Sequence, residues 1–252
     1  MSHIFMTDKG KVRQHNEDSG AVIRNKSGQR LAIVADGMGG HRAGDVASSL
    51  TVEQLVAKWN NIETIEKADD AETWLKSSIL DVNRFVFDYQ ATHPECEGMG
   101  TTIIAAIATE NFLTIAHVGD SRCYLYNEEG FKQITEDHSL VNELVRMGQI
   151  TKEDAEHHPR KNVVLRALGT DTNLEIDIMT LIFEQDDQLL ICSDGLSNKV
   201  SDQEMKDIID SDYTLEQKAT ALIQQANVNG GEDNISVCLI EHEGSHQAGE
   251  DV

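Results

Sequence analysis

The chain has 252 residues, of which 39% are hydrophobic, so it is long enough for one sizeable core and too apolar to be disordered. Its 21 Lys and Arg stand against 44 Asp and Glu, a formal net charge of −23. That field repels nucleic acid and anionic membrane surfaces and favours cations wherever carboxylates gather.

The opening "MSHIFMTDKGKVRQHNED" lacks the apolar centre of a signal peptide, and no run of about 18 apolar residues predicts a membrane span. A cytoplasmic protein with no membrane insertion is expected. "GAVIRN" and "LAIVA" flank "KSGQ", a hairpin signal. Helical spacing of apolar residues follows in "GDVASSLTVEQLVAKW" and "AETWLKSSILDVNRFVFDYQ". Three strand-like runs come next, "TTIIAAIA", "FLTIAHV" and "RCYLYN". The chain from Asp137 to Gly169 is polar, with two short helix-like pieces and Pro159, and reads either as a functional insertion or as a surface excursion. Strands resume with "IMTLIF", "QLLICS" and "NISVCLIE", interleaved with the helical "DQEMKDIID" and "TLEQKATALIQQAN". Strand cores that are apolar without interruption predict sheets covered on both faces. Strands in runs, not in strict alternation with helices, predict an α+β layout of antiparallel sheets with helices outside. One domain is expected over residues 1–242, with the insertion at 137–169 and a polar tail at 243–252. The end "EHEGSHQAGEDV" reads as frayed, its His242 and His246 as tail residues, not ligands. Cys96, Cys123, Cys192 and Cys238 are far apart with no CxxC, and read as free thiols of a reducing compartment.

Acidic residues recur at strand ends. "LAIVA" stops at Asp36-Gly37, "FLTIAHVG" at Asp120 and "QLLICS" at Asp194-Gly195; Asp233 precedes the last strand, and Glu17 and Asp18 precede "GAVIRN". A single Asp-Gly after a strand is an ordinary turn. Repeated at so many strand mouths, the pattern predicts a shared rim, and clustered carboxylates must share protons or hold cations. Oxygen donors, with no HExxH and no EF-hand loop, point to Mg²⁺ or Mn²⁺. A dinucleotide fingerprint fails, because "GMGGHR" carries Arg42 where the third glycine belongs.

The stretches "GKVRQHNED", "VADGMGGHRAGD", "GMGTT", "AHVGDSR", "ITEDHS", "LRALG", "CSDGLS" and "GGEDNIS" resemble, in order, the metal-dependent serine/threonine protein phosphatases of the phosphatase 2C-like family in its compact bacterial form. Each is weak alone, but together they run from Gly10 to Ser236. The resemblance implies a β-sandwich of two antiparallel sheets flanked by helical layers, and two metal ions, Mn²⁺ or Mg²⁺, sharing a water that attacks phosphoserine or phosphothreonine directly. It implies that Asp36 bridges the ions, that the Gly37 carbonyl holds one, and that Asp194 and Asp233 complete the other. Asp18 and Glu17 would hold metal-bound waters or one ion. A third ion would sit at Asp120 with Asp194. Arg13 matches the phosphate-binding arginine, and a guanidinium suits a phosphate through paired hydrogen bonds. The segment 137–169 matches a flap beside the site. Eukaryotic members have a histidine where this chain has Met38, so the acid for the leaving group is either His41 or a metal-bound water. The partners implied are phosphoproteins, among them a cognate Ser/Thr kinase, met by a monomer. A silent phosphopeptide-binding module and a hydrolase of small phosphate esters are the competing readings. The presence of Asp36, Asp194 and Asp233 favours activity over the first.

Overall fold

The computed structural model describes residues 1–40 and 43–243, without the Glu156 side chain. Two wholly antiparallel sheets face one another. The first runs β1 (Ser2–Asp8), β11 (Ile235–Glu241), β10 (Gln188–Cys192), β7 (Arg122–Asn127), β8 (Gly130–Gln133). The second runs β2 (Asp18–Arg24), β3 (Arg30–Met38), β5 (Ile103–Ala108), β6 (Phe112–Val118), β9 (Asp177–Ile182), with the short β4 (Gly100–Thr101) on the end of β3.

The uninterrupted apolar runs have a simple cause. Successive side chains on a strand alternate between faces, and here both faces are buried. Leu31, Ile33 and Ala35 of β3 point into one apolar cluster while Ala32 and Val34 point into another. In the same way Leu189 and Ile191 of β10 face the second sheet, and Leu190 and Cys192 face the opposite way. Three cores result. One lies between the sheets. One lies under α1 (Ala43–Trp59) and α2 (Ala68–Tyr89), where Leu55, Trp59, Leu75 and Ile79 are buried. The third lies under α5 (Asp194–Ser197), α6 (Asp202–Ile209) and α7 (Leu215–Val228), around Met205 and Leu222. At 25 cal/mol per Å² of buried apolar area, each large side chain in these layers contributes about 1.5–3 kcal/mol. Capping boxes at Ser201/Glu204 and Thr214/Gln217 set where α6 and α7 begin.

Between β8 and β9 the chain forms α3 (Leu140–Arg146) and α4 (Lys152–Glu156), the two helix-like pieces of the polar insertion. Its roots are tied down by bridges Ser139–Val164 and Thr101–Leu168.

Two readings of the sequence need correction or extension. His242 is not in a frayed end: it is buried, its ring meets Phe183 edge-on, and its Nε2 lies 3.1 Å from the Glu110 carbonyl oxygen. β11 runs on through Glu241, paired with Ser2 and Gln188, so the first residues of the stretch read as frayed belong to the ordered domain. And β1, read only as the absence of a signal peptide, is an edge strand in register with β11 along its whole length. His41 and His246 lie outside the described residues. All four cysteines are free and buried.

Candidate active site

Antiparallel pairing brings one set of strand ends to the same rim. The start of β2 meets the end of β3, with Asp18 directly opposite Asp36. The end of β10 leads into Asp194, the first residue of α5, and Asp233 lies two residues before β11. Asp120 occupies the turn from β6 to β7. The charges of Asp18, Asp194, Asp120 and Asp233 all act on Asp36. The sequence-predicted carboxylates therefore converge. Asp18 is buried, while Asp36, Asp120, Asp194 and Asp233 are half-buried and open to solvent.

Burial first, and like charge second, set their protonation. Asp36 is pushed well above the usual carboxylate range by burial and by Asp18, Asp194 and Asp120. Burial with Asp194 and Asp233 raises Asp18 to about 7, against the opposing hydrogen bond from Ser193. Burial with Asp194 and Asp137 raises Asp120 to about 7. Burial with Asp233 raises Asp194 to about 6. Glu17 is raised by burial too.

Small polar residues hold the carboxylates in place. Ser193 Oγ donates to Asp18 Oδ2 at 2.7 Å and accepts from the Ser236 N–H. Asn234 Oδ1 accepts from the Glu17 N–H at 2.8 Å, and its Nδ2 donates to the Lys9 and His15 carbonyls. That one side chain thereby straps the N-terminal loop to the rim. Thr102 Oγ1 accepts from the Asp36 N–H at 3.0 Å and lies 2.8 Å from Ser121 Oγ. Gly37 leaves room for the start of α1: a Cβ there would run into the Gly44 and Glu17 carbonyls. Arg13 stands at the mouth, 48% exposed, with Nη2 donating to Asp233 Oδ2 at 2.8 Å. Of the site residues expected from the sequence, only His41 lies outside the described residues. Ser193, Asn234, Thr102 and Ser121 carry no signal of their own in the sequence, beyond standing next to the aspartates or in the same strand-end motifs.

The donors fit hard divalent cations in kind. They are carboxylate oxygens, with no thiolate or imidazole among them. Asp18 Oδ1 is buried and has no hydrogen-bond partner, a costly arrangement unless a cation or its water completes it. Among the described residues no three acidic, His or Cys side chains close round a single point.

The protein phosphatase 2C family matches residues 8–235. The chain belongs to that family. As a member it is a phosphatase, built on the sandwich described above. It is 50% identical over 239 residues to a serine/threonine phosphatase, stp, of Listeria monocytogenes, covering 95% of both chains. It is 39% identical over 240 residues to the protein phosphatase PhpP of Streptococcus pneumoniae, covering 95% of this chain and 97% of that one. Among solved structures, the serine/threonine phosphatase Stp1 of Staphylococcus aureus superposes with a TM-score of 0.91 at 39% identity, covering 96% of this chain and 95% of that one. The catalytic domain of PstP, solved with two manganese ions, superposes with a TM-score of 0.82 at 33% identity, covering 94% and 96%.

Proposed function

We propose that the acidic rim is the active site of a metal-dependent serine/threonine protein phosphatase that uses Mn²⁺ or Mg²⁺. The observation that carries this assignment is the convergence of Asp18, Asp36, Asp120, Asp194 and Asp233 on one rim, where burial and then like charge raise the pKa of the first four. Asp36, Asp194 and Asp233, with the Gly37 carbonyl, would hold two ions; Asp18 and Glu17 would hold metal-bound waters or one ion; Asp120 with Asp194 would offer a third position. Bound cations would lower the pKa of a water towards neutrality and offset the charge of the phosphoryl oxygens.

The chain's own residues do the rest. Arg13, held at the mouth by Asp233 and half-exposed, takes the substrate phosphate through paired N–H groups. Ser193 and Asn198 fix the Asp18 and Asp194 oxygens, at 2.7 and 3.0 Å. The rim hydroxyls of Ser193, Thr102 and Ser121 are buried and already hydrogen-bonded, so they are not poised as nucleophiles, and direct attack by water needs no phosphoenzyme. His41 and a water remain the two candidates for protonating the leaving alkoxide.

The substrates are phosphoproteins, including a cognate Ser/Thr kinase, met in the cytoplasm by a monomeric enzyme. No helix among the described residues is long and apolar enough to cross a membrane. The segment 137–169 acts as a flap that selects protein substrates, with the exposed Arg160 and Lys161 attracting acidic surroundings of a phosphosite on an otherwise acidic protein. Turnover of phosphoserine and phosphothreonine peptides by the chelated protein, with and without added Mn²⁺ or Mg²⁺, tests the assignment. Hydrolysis only with metal is expected, and full activity after exhaustive chelation would contradict it.

A further inference from the structure

His138 stands where the flap leaves the sandwich, buried beside the turn that carries Asp120. It binds both polar groups of Gly119, the residue before that aspartate. Its backbone N–H donates to the Gly119 carbonyl at 2.8 Å. Its ring Nδ1 lies 3.1 Å from the Gly119 nitrogen and accepts that N–H. Because Nδ1 is an acceptor, the ring proton is on Nε2, and Nε2 donates to Asp177 Oδ2 at 3.1 Å. Arg166 Nη1 is 3.4 Å from the same nitrogen, but both groups are donors. The guanidinium instead donates to Asp177 Oδ1 at 3.1 Å and pairs with Glu175. His117 of β6 stacks on the other side of the ring, with centroids 4.5 Å apart.

One side chain thus meets four parts of the fold: the Asp120 turn, the flap entry of which it is part, the edge strand β9 through Asp177, and β6 through His117. The flap exit closes on it as well, since the His138 carbonyl accepts from the Leu165 N–H at 2.7 Å. The turn it grips continues into the metal rim through hydroxyls. Ser121 reaches Thr102, and Thr102 accepts the Asp36 N–H. Gly119 adopts φ +114°, open to glycine and to few other residues, and these bonds hold it there.

We propose that His138 is a positioning residue that locks the Asp120 turn to the root of the flap, so that the seating of the flap sets how tightly the Asp120 position holds its cation. The inference rests on the assignment of Asp120 to a metal position. Without an acceptor at Nδ1, the Gly119 N–H is left buried and unpaired or the turn shifts to find water, and either moves the Asp120 carboxylate. Groups that orient ligands in this way change metal affinity by about ten- to a hundredfold when removed.

The test uses the full chain, with Mn²⁺ alone as the probe, followed by titration calorimetry and by the rate of tryptic cleavage within 137–169. Asp120→Ala first identifies the binding step that depends on that carboxylate. His138→Ala should then weaken that step by about ten- to a hundredfold, leave the other steps unchanged, and speed cleavage of the flap. His138→Asn, whose Oδ1 takes the place of Nδ1, should recover most of the affinity although its link to Asp177 is gone. A merely space-filling role would not be rescued in this way. If His138→Ala does not fold, the half-exposed Asp177→Ala carries the test, with a smaller loss at the same step expected. Wild-type Mn²⁺ affinity in His138→Ala or in its substitute, or no rescue by Asn, would overturn the positioning role alone. Unchanged Mn²⁺ binding in Asp120→Ala would overturn the metal assignment of Asp120 and the inference with it.

Discussion

The two ends of the sandwich treat buried polar groups in opposite ways. At the end away from the rim, Asp187 is buried but accepts the Glu184 N–H at 2.9 Å, its backbone carbonyl accepts the His242 N–H, and Asp186 N–H reaches the His242 carbonyl. Arg30, also buried there, donates to His3 and to the Met1 carbonyl. Polar groups at that end close turns and hold Met1 and the end of β11 in place. At the rim, carboxylates face carboxylates, and among the described residues Asp18 Oδ1 has no partner and the one guanidinium bonded to any of the five aspartates is that of Arg13, at the mouth. A fold that hydrogen-bonds its buried charged groups, Asp187 and Arg30, at one end and sets like charges against one another at the other has placed its destabilising charges where a ligand can use them.

Substitutions at the two ends should therefore separate activity from stability. The largest effect is expected for Asp36→Asn and Asp194→Ala. Turnover of a phosphopeptide should fall by at least about a thousandfold, because cation stabilisation of the transition state amounts to several kcal/mol. Removing one of several repelling charges should meanwhile leave the metal-free melting temperature unchanged or higher. Near wild-type kcat in either variant would place the site elsewhere.

Arg13→Ala should be next. Loss of a charged pair of hydrogen bonds to phosphate, about 1.5–3 kcal/mol, should appear mainly as a KM raised about ten- to a hundredfold with a smaller loss of kcat. Steady-state kinetics on one phosphopeptide decide it, and an unchanged KM removes the clamp.

At the opposite end, Asp187→Ala should leave kcat/KM as it was and destabilise by about 1–3 kcal/mol, the cost of a buried N–H without its acceptor. Chemical denaturation followed by an activity assay gives both readings. A loss of activity without a loss of stability would erase the contrast between the ends.

The pH dependence of stability should be the gentlest difference. An unfolded aspartate titrates near 3.8, whereas Asp194, Asp18 and Asp120 titrate at about 6 to 7 in the fold. Between these values the folded state binds more protons than the unfolded one, so the rim's contribution falls as pH rises from about 4 to about 7 and levels off above. Asp36→Asn should make this decline shallower in denaturation midpoints of the metal-free protein, whereas Asp187→Ala should not affect it. A decline of equal slope in Asp36→Asn would detach it from the rim.

Much of this contrast could be read from sequence, for a physical reason. A strand buried on both faces must be apolar throughout, so a carboxylate that ends one stands out, as Asp36, Asp120 and Asp194 do. Antiparallel pairing then makes convergence at one rim plausible before any coordinates. The supporting residues were not legible. Ser193, Asn234 and Thr102 are ordinary turn and strand-end residues, and their roles arise from contacts between distant positions, 66 apart for Asp36 with Thr102, 175 for Asp18 with Ser193 and 217 for Glu17 with Asn234. His138 likewise sits in a polar stretch, where no periodicity marks it. β1 escaped because a seven-residue edge strand, half-exposed for most of its length, shows weak alternation. His242 escaped because composition near a chain end says nothing about which residue caps the last strand.

The central claim is that the raised carboxylates are a cation site, and proton release on metal binding tests it most directly. At pH 6, Asp18 and Asp120, at about 7, are mostly protonated and Asp194, at about 6, is half so; all three are ionised at pH 8.5. Calorimetric titration of the metal-free chain with Mn²⁺, repeated in buffers of different ionisation enthalpy, counts both ions and protons. The account predicts two or more ions per chain, with protons displaced at pH 6 and far fewer at pH 8.5. Failure to bind Mn²⁺, or binding at pH 6 that displaces no protons, would contradict it.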